Sequence, residues 1–421
     1  MAGLTLVSNN GVSNYAPLNQ TQAAVQNDAY ELLQLIEGRF AYRDRFPNQY
    51  IPTRQEIDWR IPYLATRNDL IHFAQSAFHT LYDHHSITCS ALYDDPALVP
   101  SYADLWVERK LNGYEIMDVR KGSPAAMVGI RPGYLITHID GWQIDQAVAN
   151  FIGMYPVVLN AERQSYAARI LAAGHRNRMR RISLYNDGLY WTVELPTLYG
   201  ARLRRDPGLL SVQSRYVNGR VIGIVRFNDS LGDLRTIGAF DQALNELGPV
   251  DGLILDLRDT ASGGTTQIAR GILGRFVSEP VAYQRHVLPG EEACTGIVRS
   301  WLEEVHPRGW RVNMPLAAVS GRWTASMGEG LTVALDALGA ATFGTQMAGL
   351  LGGVSDHELP HTGIMVKLTT EKLQHIDGTP RENYRPRQFF NYADAPGENG
   401  IDGPMKAAID YLSSHTATTF R

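Results

Sequence analysis

The stretch MPLAAVSGRWTASMGEGLTVALDALG, residues 314–339, runs from an apolar strand into a small polar turn and then into a helix. PLAAVS has the length and continuous apolar character of a buried strand, and MGEGLTVALDALG has apolar residues at helical spacing. Where a strand end of an α/β sheet meets a helix N-terminus, unpaired backbone N–H groups and the positive end of the helix dipole are presented together. Ser326 sits at that junction. Its hydroxyl has the Met327 N–H as its neighbour, and the small residues Ala325 and Gly328 are expected to let a carbonyl group approach. That pattern fits a nucleophile beside an oxyanion donor. Helix capping by Thr324 or Ser326 is the alternative that the turn alone leaves open.

Working outward, the chain from about Arg215 reads RVIGIVRF, TIGAFDQALNELG, VDGLILDLRD, TTQIARGILGRFV, PLAAVS, MGEGLTVALDALG and ATFGT. Continuous apolar strands alternating with amphipathic helices predict an α/β fold whose largely parallel sheet is covered on both faces. GLILDLRDTASGGTTQIA is a second strand running into a glycine-rich turn and helix, so Gly263 or Gly264 can supply a second oxyanion donor from a neighbouring strand end.

Upstream, NDAYELLQLIEGRF and TRNDLIHFAQSAFHTLYDHHS have helical periodicity, which gives a helical N-terminal domain over 1–95. Residues 111–143 change to short alternating strands around GSPAAMVGIRPG, where Ser123 caps a short helix and Pro124 suits its first turn. This stretch resembles a PDZ domain, assigned to 105–200, with an insertion from Val148 to Asn186. The insertion's basic run GHRNRMRR reads as a solvated face, with a site for a substrate carboxylate as the lesser alternative. The α/β catalytic domain takes 201–421.

With 39 basic and 43 acidic side chains the net charge is −4, which supplies no electrostatic case for nucleic acid or an anionic membrane as the main partner. Two cysteines, Cys89 and Cys294, lie outside any metal or disulfide spacing. The N-terminus carries no cationic leader with an apolar core, and no stretch nears the ~18 apolar residues of a membrane span. The expectation is a soluble chain, cytoplasmic as given or exported if a signal peptide has been removed.

The order DLR…GG, TAS-x-GE, ATFGT and a final helix DGPMKAAIDYL resembles the C-terminal processing proteases and the tricorn protease core. The resemblance covers roughly residues 65–145 and 215–412. It implies a ClpP/crotonase-like core and a serine endopeptidase or peptide hydrolase that forms an acyl-enzyme on Ser326. The oxyanion would be held by Met327 with Gly263 or Gly264. No cofactor or metal is implied, the partner is a peptide or protein substrate, and a homo-oligomer is possible. The processing proteases use a lysine after the FG turn, but ATFGTQMAGLLGG contains none. The tricorn branch uses a histidine from ahead of the PDZ module, and LYDHHSIT places His85 there as base. His84 then falls where that branch has a serine linking base to glutamate. IDGTPRENYRPRQFF puts Glu382 at the position of the late glutamate, with Arg385 in place of a glycine. DLRDTASGG is one residue longer than the family's pattern and lacks its asparagine.

DHELPH, residues 356–361, has the form HExxH, whose zinc chemistry needs both histidines on one helical face. Pro360 and the flanking glycines argue against a helix there. The LNGYEI segment is expected to be a sheet edge able to receive a peptide by strand addition. Two rival functions share the fold: a non-catalytic peptide-binding homologue, and an esterase or thioester hydrolase on the same core.

Overall fold

The computed structural model describes residues 21–153, 160–199, 208–391 and 402–414, which are built on three sheets. Residues 1–20, where the expected helical domain begins, and 154–159, within the expected insertion, lie outside the described residues.

The sheet that carries the Ser326 turn has six strands in the order 388–389, 341–344, 316–320, 252–256, 220–227, 210–217. All neighbours are parallel except the last pair. Gly252–Asp256 is buried at every residue, which explains the unbroken apolar run up to Leu255, and the buried Asp256 is paired with Arg258 at 2.8 Å. Period-2 alternation then divides the strand's side chains between two cores. Leu253, Leu255, Leu316 and Ala318 face the helices Arg235–Leu247, Thr266–Leu273 and Met327–Ala337. Ile254, Ala317 and Val319 face Met405, Ala408, Ile409 and Leu412 of the helix Gly403–Ser414. The mixed α/β character read from the sequence is therefore observed, with both faces covered.

A second sheet orders 87–88, 365–375, 281–287 and 300–305, with 353–358 also pairing 365–375. Its long strand Met365–His375 packs under the N-terminal helices Gln22–Arg39 and Arg67–Thr80. Leu32, Leu33, Ile36, Phe73, Ala74, Val366 and Leu368 form one core with Trp323, Ala325 and Leu351. The helix Arg67–Thr80 starts at a capping box: Asp69 N donates to Thr66 Oγ1 at 3.2 Å, and Thr66 N donates to Asp69 Oδ2 at 2.8 Å. Its far end leads straight into residues 81–86.

The third sheet is antiparallel, ordered 105–110, 113–119, 135–139, 180–186, 189–195. Gly113–Val119 is not the edge that its sequence suggested. Tyr114 and Glu115 pair on one side with Arg109 and Glu108 and on the other with Ile136 and Leu135, so Leu105–Lys110 takes the edge. The hairpin strand ahead of the Asn-Gly turn covers it. The basic run is not only a solvated face either. Arg180 is buried on Asp104 at 2.6 Å, because it anchors this sheet to the chain entering it, whereas Arg178 is exposed. Arg120 to Asp259 and Arg322 to Glu108, both 2.7 Å, tie the third sheet to the first. Among the described residues no helix is long and apolar enough to cross a membrane.

Candidate active site

The strand Leu316–Ser320 ends in a turn that is fixed from both sides. Thr324 Oγ1 donates to Leu257 O at 2.9 Å and accepts from Gly321 N at 2.9 Å, so Thr324 joins the turn to the neighbouring strand end instead of capping the helix. Trp323 Nε1 donates to Ala103 O at 2.8 Å. Ser326 follows with φ 52° and ψ −112°, a positive φ on a non-glycine residue at the N-cap of Met327–Ala337. Such a conformation persists only when the surroundings over-determine it. Here the fully buried Glu329, three residues on, accepts the Ser326 N–H on Oε2 at 2.8 Å.

The Ser326 hydroxyl meets His85, 241 residues earlier in the chain, with Oγ to Nε2 at 2.9 Å. The other ring nitrogen, Nδ1, lies 2.7 Å from Leu351 O. A carbonyl can only accept, so Nδ1 carries the proton and Nε2 is the acceptor in the hydrogen bond from the Ser326 hydroxyl. Burial, and then the nearby Arg381 guanidinium, hold the imidazole below the ordinary histidine value, against the opposing pull of Asp83. Asp83 also sets the loop: its Oδ1 accepts His85 N at 2.9 Å, and its Oδ2 accepts the hydroxyls of Ser86 at 2.7 Å and Thr369 at 2.6 Å. His85 is thus delivered by the end of the Arg67–Thr80 helix, and its loop is pinned to the strand Met365–His375.

The glycine turn lies against the serine. A Cβ on Gly263, whose φ is +67°, would stand 2.7 Å from Ser326 Cβ, so only glycine permits this approach. The Gly263 amide reaches Thr260 O at 3.3 Å, while the amides of Gly264 and Met327 find no backbone acceptor among the described residues. In the parallel bridge Leu231↔Gly264 the ladder bonds are made by Gly263 O and Thr265 N, so the Gly264 amide points away from Leu231. Gly328 serves packing and not substrate access: a Cβ there would lie 2.1 Å from Thr260 Oγ1.

Two of the sequence-derived candidates are placed apart from His85. Glu382, on the short turn Arg381–Asn383, makes no hydrogen bond to it, because Leu351 O occupies Nδ1. Burial raises the Glu382 carboxyl, and the Tyr42 phenol beside it is raised by burial and by Glu382. Neither Glu382 Oε2 nor the Tyr42 hydroxyl completes a hydrogen bond of normal geometry among the described residues. His84 stacks on Tyr166, ring centroids 4.3 Å apart, and its buried Nε2 has no partner among them, so it forms no link from His85 to Glu382. His84 and Glu382 do line one cavity of about 200 Å³ together with Leu351 and Arg169. DHELPH falls on the strand Gly353–Glu358 and the turn beyond it, and His361 N donates to Asp28, which rules out one helical face for its histidines.

The sequence reading did not find Asp83, Glu329, Arg381 or the Leu351 carbonyl. Glu329 had a local signal, the Ser-x-x-Glu pattern of a capping box.

Residues 221–385 match the family model of peptidase family S41. No curated protein sequence matches the chain. Among solved structures, a photosystem II D1 C-terminal processing protease is 16% identical, with 93% of this chain and 98% of that one covered at a TM-score of 0.54. Mature CPAF complexed with lactacystin is 15% identical, with 93% and 97% covered at 0.56. A putative peptidase from Parabacteroides merdae is 14% identical, with 94% and 97% covered at 0.51. At these identities the neighbours speak to the fold, while the family match spans the strands that frame Ser326. That match makes residues 221–385 similar to peptidase family S41 and supports a serine-type peptidase.

Proposed function

We propose that the chain hydrolyses peptide bonds through an acyl-enzyme on Ser326. His85 takes the hydroxyl proton on Nε2 as Oγ bonds to the scissile carbonyl carbon, then returns it to the departing amine. Water attacks the acyl-enzyme by the same route in reverse. The developing oxyanion lies between the amides of Met327 and Gly264, which the turn geometry leaves free, with Gly263 supplying the clearance. Leu351 O takes the orienting part that a carboxylate plays in a Ser-His-Asp triad. Glu382 enters this reading as a carboxylate across the cavity and not as the histidine's partner. The observation that carries the reading is the 2.9 Å contact from Ser326 Oγ to a histidine nitrogen whose other nitrogen must bear the proton.

The wider architecture is read in the same terms. The six-stranded core is a crotonase-like catalytic unit, residues 105–200 are a PDZ-like module that contacts a peptide or protein substrate, and the N-terminal helices supply the base. A fluorophosphonate probe is expected to modify Ser326 and no other serine, and labelling is expected to vanish in Ser326→Ala and to fall sharply in His85→Ala. Modification mapped to a different serine, or peptide hydrolysis surviving in Ser326→Ala, would refute the assignment. A parallel panel of esters and acyl thioesters tests the substrate class.

A further inference from the structure

The group that receives the His85 Nδ1 proton is a backbone carbonyl, and a carbonyl is only as well placed as the segment that carries it. Leu351 belongs to Gly349–Gly352, which has no helix or strand to hold it. Two buried charged side chains grip this segment instead. Glu329 accepts the amides of Gly349 on Oε1 at 2.8 Å and of Leu350 on Oε2 at 3.3 Å, with the same carboxylate that holds the Ser326 amide. Arg381, 3% exposed, donates through Nη2 to Gly352 O and, at 3.4 Å, to Leu350 O. Those are the carbonyls on either side of Leu351. The segment is also pressed onto the strand Met365–His375: a Cβ on Gly352, at φ +35°, would lie 1.7 Å from Glu371 O.

We propose that Arg381 is a positioning residue for the peptidase reaction: by holding the Leu350 and Gly352 carbonyls it fixes the Leu351 carbonyl that keeps His85 protonated on Nδ1 and turned toward Ser326. The proposal rests on the reading of Ser326 and His85 given above. A guanidinium suits the task because it is planar, stays charged, and offers several donors in a fixed fork, whereas a lysine offers a point charge on a flexible stem.

The cation also acts through space. The charged groups around His85 are Asp83 on its own loop, which favours the imidazolium, and Arg381, which disfavours it. Beyond Arg381 stand Glu329 and Glu382, with Tyr42 beside Glu382 and Lys372 acting on it through space while paired with Asp44. Removing the Arg381 charge therefore lets His85 hold its proton to higher pH, while removing only its geometry does not.

The test is the rate of Ser326 labelling by a fluorophosphonate across a pH series, in the full chain and in Arg381→Lys and Arg381→Met. A displacement of order 1 Å at a reacting centre costs roughly 100-fold in rate. Arg381→Lys is expected to show a loss of about that size with the acid limb unmoved. Arg381→Met is expected to lose rate and to shift the acid limb to higher pH. If Arg381→Met does not fold, Arg381→Lys decides: a large loss at a parental melting temperature upholds the proposal, and a parental rate ends it. Parental rates in both variants, or a Met variant that is slower with its acid limb in place, would show a merely structural arginine. A parent chain that is not labelled at Ser326 would instead bring down the reading beneath.

Discussion

Ser326 pays for its placement in backbone strain, since a non-glycine residue in a sparsely populated region costs about 1–3 kcal/mol. The return is a hydroxyl that leaves the turn toward His85 while its own amide is held by Glu329. Burial raises the Glu329 carboxyl to about 7, and its three amide donors and Arg381 pull the other way. His85 makes the clearest prediction at this scale. A base works when neutral, and the folded imidazole lies below the ordinary value of about 6.5. The reactive form therefore predominates at neutral pH and is lost as pH falls through that depressed value. A plot of kcat/KM against pH should stay level through 7 and turn down below about 6.5. An acid limb above that value would mean that the histidine gains a carboxylate partner in solution.

At the scale of elements, the site is made where two strand ends and their following turns lie side by side, a consequence of the parallel register Leu253↔Leu316 to Asp256↔Val319. Thr324 on Leu257 O and the bridge Thr260↔Thr324 lock the two turns together. Gly263 is where this contact is tightest. Gly263→Ala would force a Cβ to 2.7 Å from Ser326 Cβ at a positive φ, and we expect labelling to fall by roughly 100-fold. The stability loss should exceed about 1 kcal/mol, for an alanine held at a positive φ and pressed on Ser326. Labelling kinetics and thermal melts on the same sample separate the two, and a variant that labels at the parental rate would place Gly263 outside the site.

Across the whole molecule, three sheets and the N-terminal helices are joined by buried polar contacts as well as apolar cores. Arg163 and Glu56 form a two-pronged pair at 2.8 and 3.1 Å between the helix Ala161–Ala173 and the helix Thr53–Ile57, with side chains 3% and 5% exposed. Removing one partner strands a buried charge, so Glu56→Ala should cost about 3–5 kcal/mol, seen as a lower melting temperature. Replacing both with apolar residues of similar size, Glu56→Leu with Arg163→Met, should recover most of it. A double variant as unstable as the single one would show that the pair itself, and not the stranded charge, holds these elements.

Much of this was legible in the sequence because it is local. The apolar run Gly252–Leu255 and the helical spacing after Ser326 follow from burial and backbone period alone, and they were enough for the mixed α/β fold and the serine turn. The choice of His85 came from resemblance, and the tertiary structure puts it 2.9 Å from Ser326 Oγ. Gly113–Val119 was misplaced at an edge because strand order depends on pairings that no single strand encodes. The partner of His85 could not be read at all. Every residue carries the same carbonyl, so the one that meets Nδ1 is marked by no side chain; it is chosen by where Glu329, Arg381 and the strand Met365–His375 leave Leu351 once distant segments have come together.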